Sequence, residues 1–131
     1  MQSTNDPETT IYERIGGSAT IENLVDSFYE KVLGDPELSH YFKNTPMEKL
    51  RYMQKEFFAA ATGGPVIYSG RPLSEVHRNM SISRREFGRF TEHLLATLSE
   101  VGVGEEDSYE IISHVNLYAD EITNDLDLGG D

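Results

Sequence analysis

The chain has 131 residues and a mass of 14.8 kDa, enough for one hydrophobic core and too little for two. It carries 23 Asp and Glu against 11 Lys and Arg, a formal charge of -12, which argues against nucleic-acid phosphates or anionic membranes as partners. The absence of cysteine excludes disulfides, thiolate nucleophiles, iron–sulfur clusters and Cys-ligated zinc, so any metal or cofactor falls to His, Asp, Glu or Tyr.

In chain order, residues 1–10 are polar and acidic and read as a loose arm preceding a single domain over 11–124. A short helix is expected near 11–15, opened by the capping box Thr10-Ile-Tyr-Glu13 and stopped at Gly16-Gly17. The first main helix, near 19–33, places Ile21, Leu24, Val25, Phe28, Tyr29, Val32 and Leu33 on one face and stops at Gly34-Asp35-Pro36. The second, near 46–61, opens on Thr45-Pro-Met-Glu48 with Pro46 expected at the first helical position. Its stripe is Leu50, Met53, Gln54, Phe57, Phe58 and Ala61, and Gly63-Gly64-Pro65 ends it.

The segment from Gly63 to Ser83 follows, with at most one helical turn. Roughly twenty irregular residues are long for a compact domain, and loops of that length tend to be functional. This one carries His77. A third helix near 84–100 opens on the box Ser83-Arg-Arg-Glu86 and buries Phe87, Phe90, Thr91, Leu94, Leu95 and Leu98, with a stop at Gly102-Val-Gly104. The fourth, near 107–123, carries Ile111, Ile112, Val115, Tyr118, Ala119 and Ile122, and residues 125–131 read as a frayed tail. No sustained alternation suggests a strand, so the domain is expected to be all-α. The longest apolar run, Phe57 to Ala61, falls far short of the ~20 residues of a membrane span, and no charged-then-apolar leader opens the chain; a cytoplasmic protein is expected. The Lys-poor, carboxylate-rich composition suits a salt-loving host and equally an ordinary acidic bacterial protein.

The informative residues are polar ones on apolar faces. Tyr29 is either a core aromatic with its hydroxyl at the surface or a hydrogen-bonding group aimed at a ligand. Gln54 sits in the middle of an apolar stripe, where an unpartnered amide would cost about 1–3 kcal/mol. It is either a stripe-edge residue or a functional donor. His77 taken alone is more often a surface residue than a ligand; His40 and His93 read as surface or flank residues, His114 as facing away from the stripe of the fourth helix, and the carboxylates as a solvated surface. No histidine pair has close metal-ligand spacing, and neither a phosphate-binding loop nor a nucleophile elbow occurs. Together, one histidine on a long loop and two donors on facing stripes suit a flat apolar cofactor with a central metal. The alternative is a helical interaction module whose Phe-rich grooves receive a partner helix.

From Ile11 to about Ile122 the chain resembles the truncated, two-over-two haemoglobins, and most closely their group I. The resemblance rests on Ile11-Tyr-Glu-Arg-Ile-Gly-Gly17, Phe28-Tyr29-Glu-Lys-Val-Leu33 and Leu38-Ser-His-Tyr-Phe42. It continues through Gln54-Lys-Glu-Phe-Phe58-Ala-Ala-Ala-Thr-Gly-Gly-Pro65 and Tyr68-Ser-Gly-Arg-Pro-Leu-Ser-Glu-Val-His77, then Ile82 and Phe87. It implies a helical sandwich around haem b, iron protoporphyrin IX, with the proximal helix reduced to a loop and one turn. His77 is implied as the iron's proximal ligand, and Tyr29 and Gln54 as the distal pair that stabilises a ligand gaining negative charge. Phe42 is implied to wedge the ring, with Leu50, Met53, Phe57, Leu73, Val76, Ile82, Phe87 and Phe90 as further walls. Thr45, Lys49, Tyr68 and Arg78 are candidates for the haem propionates, and Phe58 resembles the aromatic that lines the family's ligand tunnel. The implied function is reversible binding of dioxygen (storage, transport or sensing), with carbon monoxide and nitric oxide as other diatomic ligands. The alternative is a nitric oxide dioxygenase forming nitrate, which needs an external reductase because 131 residues offer no flavin or nicotinamide site.

Overall fold

The computed structural model describes residues 9–65 and 82–117 together with Ala119 and Thr123. These form α1 (Ile11–Ile15), α2 (Gly17–Leu33), a 3₁₀ turn (Ser39–Phe42), α3 (Met47–Ala61), α4 (Arg84–Glu100) and α5 (Glu105–Asn116). No strand occurs among the described residues. The helix pairs α2/α3 and α4/α5 pack on one another chiefly through α2, which contacts α1, α3, α4 and the 3₁₀ turn.

The expected α2 stripe is the centre of the core. Val32 is fully buried, and Leu24, Val25 and Ile21 are 1–2% exposed; Leu38, Leu94, Leu98, Phe58 and Ile111 close around them. Burial of side chains this size contributes about 1.5–3 kcal/mol each.

Two of the three expected capping boxes form. The Thr10 hydroxyl accepts from the Glu13 amide and the Ser83 hydroxyl from the Glu86 amide, with each glutamate reaching back to its cap amide. The third does not. Pro46 is itself the N-cap of α3, with ψ at 96°, and its carbonyl accepts the first helical bond from Leu50 N–H at 3.0 Å. Thr45 therefore lies one residue too early to cap. α2 and α5 each begin two residues before the sequence-based expectation, at Gly17 and Glu105.

α3 stops by a Schellman motif. Gly63, at φ +89°, donates to Ala60 O (3.1 Å), and Gly64 N–H donates to Ala59 O (2.8 Å). The motif docks on α1, whose Tyr12 N–H donates to Thr62 O at 2.9 Å. A Cβ on Gly64 would lie 2.7 Å from the Tyr12 ring and 2.9 Å from the Ala59 carbonyl, so the position has no room for a side chain. α4 ends in the same hydrogen-bond pattern, with Val103 N–H donating to Leu98 O.

Candidate functional site

Tyr29, on the inner face of α2, is 6% exposed, and its ring meets Phe28 edge-on at 5.0 Å and Phe42 at 5.9 Å. Phe42 in turn lies 6.3 Å from Phe90 of α4, which also reaches Phe28 at 6.4 Å. The structure thus brings three of the expected pocket residues, from α2, the 3₁₀ turn and α4, into one aromatic cluster. Among the described residues, neither the Tyr29 hydroxyl nor the side-chain amide of Gln54 on α3 has a hydrogen-bond partner. Burial pushes the Tyr29 phenol up, with the Arg51 cation pulling the other way, so its proton stays on at neutral pH and the group is a donor.

The apolar stripe of α3 is covered at one end only. Phe58 and Ala59 are buried, whereas Leu50, Met53, Gln54 and Phe57 remain half-exposed. On α4, Phe87 and Phe90 are likewise half-exposed, while Ile82, just before that helix, is 2% exposed. Thr45 is partly exposed and Lys49 fully so. Half-covered aromatics beside two unpaired hydrogen-bonding groups fit a flat, largely apolar ligand with a polar centre, as a haem is. His77, Tyr68, Leu73, Val76 and Arg78 lie outside the described residues, as does most of the long segment that holds them. Phe58 borders a small apolar cavity of about 10 Å³ together with Phe57, Ala61, Thr62, Ile111, His114 and Val115.

Two expectations need correction. Asp35 is not part of a solvated acidic surface, and His93 is not a bystander. The Asp35 side chain is 3% exposed, and its Oδ2 accepts from Arg89 Nη2 at 2.7 Å and Nε at 3.0 Å and lies 2.8 Å from His93 Nε2. Its other oxygen accepts from the Glu37 amide at 2.9 Å. The hydrogen bond to His93 is the largest of the effects that hold its carboxyl down to about 2. Glu86, Arg89 and His93 form a polar stripe along α4, and Glu86 also accepts from the Tyr41 hydroxyl next to Phe42. These links tie the corner after α2 to α4 and so set where Phe42 meets Phe90. Their sequence signal was an Arg and a His four apart on one helix face in a chain poor in basic residues. His114 also departs from expectation, lining the small cavity rather than facing away.

The bacterial-like globin family model matches residues 10–124. A group 1 truncated haemoglobin from Mycolicibacterium paratuberculosis is 42% identical over 113 residues, spanning 86% of this chain and 83% of that protein. The chain belongs to the bacterial-like globins, in their truncated haemoglobin branch. The crystal structure of the truncated haemoglobin from Tetrahymena pyriformis in its Fe(III) form superposes with a TM-score of 0.84 at 34% identity, covering 87% of this chain and 97% of that one. The haemoglobin of Chloroflexus aurantiacus matches at a TM-score of 0.78 and 37% identity, over 88% and 98% of the two chains. Among the described residues, no helix is long and apolar enough to cross a membrane.

Proposed function

We propose that this globin is a cytoplasmic haem b protein that binds dioxygen reversibly, with Tyr29 and Gln54 as its distal donors and His77 as its proximal ligand. The observation that carries the reading is a pair of hydrogen-bonding groups, on the facing helices α2 and α3, that have no partner among the described residues and lie with half-covered aromatics. The Tetrahymena pyriformis protein has been crystallised with a tyrosine-to-phenylalanine and a glutamine-to-glutamate substitution 25 residues apart, the spacing from Tyr29 to Gln54. A further glutamine was substituted there 21 residues after the tyrosine, where this chain, counted at the same spacing, has Leu50. On that count, this distal face carries one glutamine where that protein has two.

Haem iron supplies the position at which a diatomic ligand binds. The chain supplies the rest. Phe42, Leu50, Met53, Phe57, Ile82, Phe87 and Phe90, with Leu73 and Val76, would pack against a bound haem and keep water from it. Thr45, Lys49, Tyr68 and Arg78 would hold its propionates. Tyr29 donates to the ligand, and Gln54, with two N–H donors and one acceptor oxygen, can donate to the ligand and to the tyrosine oxygen. Donors aimed at a ligand that carries negative charge slow its release.

The test is haem reconstitution of the purified protein, followed by absorption and oxygen equilibrium. A Soret band and saturable oxygen binding are expected, and His77→Gly should lose haem far faster than wild type. Wild-type haem retention in that variant refutes the proximal assignment. Mixing the oxygen-loaded protein with nitric oxide separates carriage from oxidation: fast nitrate formation, sustained by an added reductase, would make it a nitric oxide dioxygenase instead.

A further inference from the structure

An ion-pair cluster that the aromatic pocket does not explain stands one turn from the distal donors. On α2, Asp26 precedes Tyr29 by three residues; on α3, Arg51 precedes Gln54 by three and Lys55 follows it by one. Asp26 Oδ1 lies 3.6 Å from an Arg51 guanidinium nitrogen and 3.5 Å from Lys55 Nζ. One carboxylate thus draws together the turn of α2 that carries the tyrosine and the turn of α3 that carries the glutamine. Two cations on one carboxylate leave the cluster net positive. Arg51 Nε is buried with no hydrogen-bond partner, the sole such side-chain atom among the described residues. An orphaned buried donor is destabilising, so its retention calls for a reason. Arg51 is also the charge that bears on the Tyr29 phenol.

We infer that Arg51 is a positioning residue for the distal pair: paired with Asp26 one helical turn before Tyr29, its guanidinium keeps a fixed positive charge at the turn of α2 that carries the tyrosine. A nearby cation favours the phenolate, so it polarises the O–H bond and strengthens the hydrogen bond given to a ligand carrying negative charge. Burial keeps the proton in place, so the gain is in donor strength and not in ionisation. A guanidinium stays charged at every working pH, which makes the field constant where a histidine's would titrate. The inference rests on Tyr29 being the distal donor, as proposed above.

The experiment uses the haem-loaded protein with carbon monoxide and dioxygen as probes, comparing Arg51→Met, Arg51→Gln and Arg51→Lys with Tyr29→Phe. A positive field and a donor near the carbon monoxide oxygen lower the C–O stretching frequency. The two neutral variants should raise it, in the direction of Tyr29→Phe but by less, and release oxygen about 3–10 times faster. Arg51→Lys, which keeps the charge, should hold the band near wild type and the rate within about twofold. The inference is overturned if the neutral variants match wild type while Tyr29→Phe moves both readouts. It is equally overturned if lysine fails as fully as methionine, since shape and not charge is then what Arg51 contributes. Should Tyr29→Phe move neither readout, the donor assignment itself is wrong and this inference goes with it.

Discussion

Tyr29→Phe should speed ligand release without loss of protein stability. The phenylalanine keeps the ring contacts, edge-on to Phe28 at 5.0 Å and to Phe42 at 5.9 Å, and removes only a hydroxyl without a hydrogen-bond partner among the described residues. Deleting a hydroxyl that bonds to none of the described residues removes nothing the fold uses, so the haem-free protein should be as stable as wild type or more stable by up to about 1 kcal/mol. If, as proposed, the same hydroxyl donates to bound oxygen, that charge-assisted hydrogen bond is worth about 1.5–3 kcal/mol, so its loss should speed oxygen release about 10- to 100-fold. Stopped-flow displacement of oxygen by carbon monoxide reads the rate, and urea unfolding followed by far-ultraviolet circular dichroism reads the stability. A stability loss of similar size would mean that the hydroxyl serves the fold and not the ligand. An unchanged release rate would pass the donor role to Gln54.

Gly64→Ala should destabilise the protein by about 1–3 kcal/mol, because its methyl group must displace either the Tyr12 ring or the α3 backbone at Ala59; a thermal melt matching wild type refutes that close packing. Asp35→Asn tests the corner after α2. The Asp35 carboxyl is held at about 2 in the folded chain, below its ordinary 3.8, so its contribution is complete above about pH 4 and is lost as the pH falls through 2. The variant should melt below wild type at pH 7, with the gap closing between pH 4 and pH 2; a gap that persists to pH 2 contradicts the assignment.

The fold was legible wherever its cause is local. The apolar faces of α2, α3 and α4 follow from helical period; the ends of α3 and α4 follow from glycines that complete Schellman hydrogen bonds, and the start of α4 from a hydroxyl three residues before a glutamate. The one local rule that misled, at Thr45, failed by a single residue, because the extended ψ of Pro46 delays the helix. The aromatic cluster was legible only through family resemblance, since nothing in the spacing of Tyr29, Phe42 and Phe90 declares that they meet. The spacing of Arg89 and His93 marks a polar face of α4, but that Asp35 is its partner was not legible. Asp35 and His93 are 58 residues apart, and Gly34-Asp35-Pro36 reads as a helix stop whether or not the carboxylate is buried. Arg51 was missed for the same reason, as its effect depends on a carboxylate from another helix.

α3 shows how site and fold depend on each other. Of its 15 residues only Phe58 and Ala59 are buried, although the apolar stripe runs back to Leu50. Packing against α2 therefore accounts for one end of the stripe, and the described residues leave the part from Leu50 to Phe57 half-exposed, open to further cover. A ligand that binds there and not to the unfolded chain stabilises the fold in proportion to the logarithm of its concentration over its dissociation constant. A haem seated against this stripe would act as a missing piece of the core as well as the reactive group. On this account Gln54 can keep an unpaired amide in the middle of an apolar stripe, because the surface it faces is completed by a cofactor and its ligand.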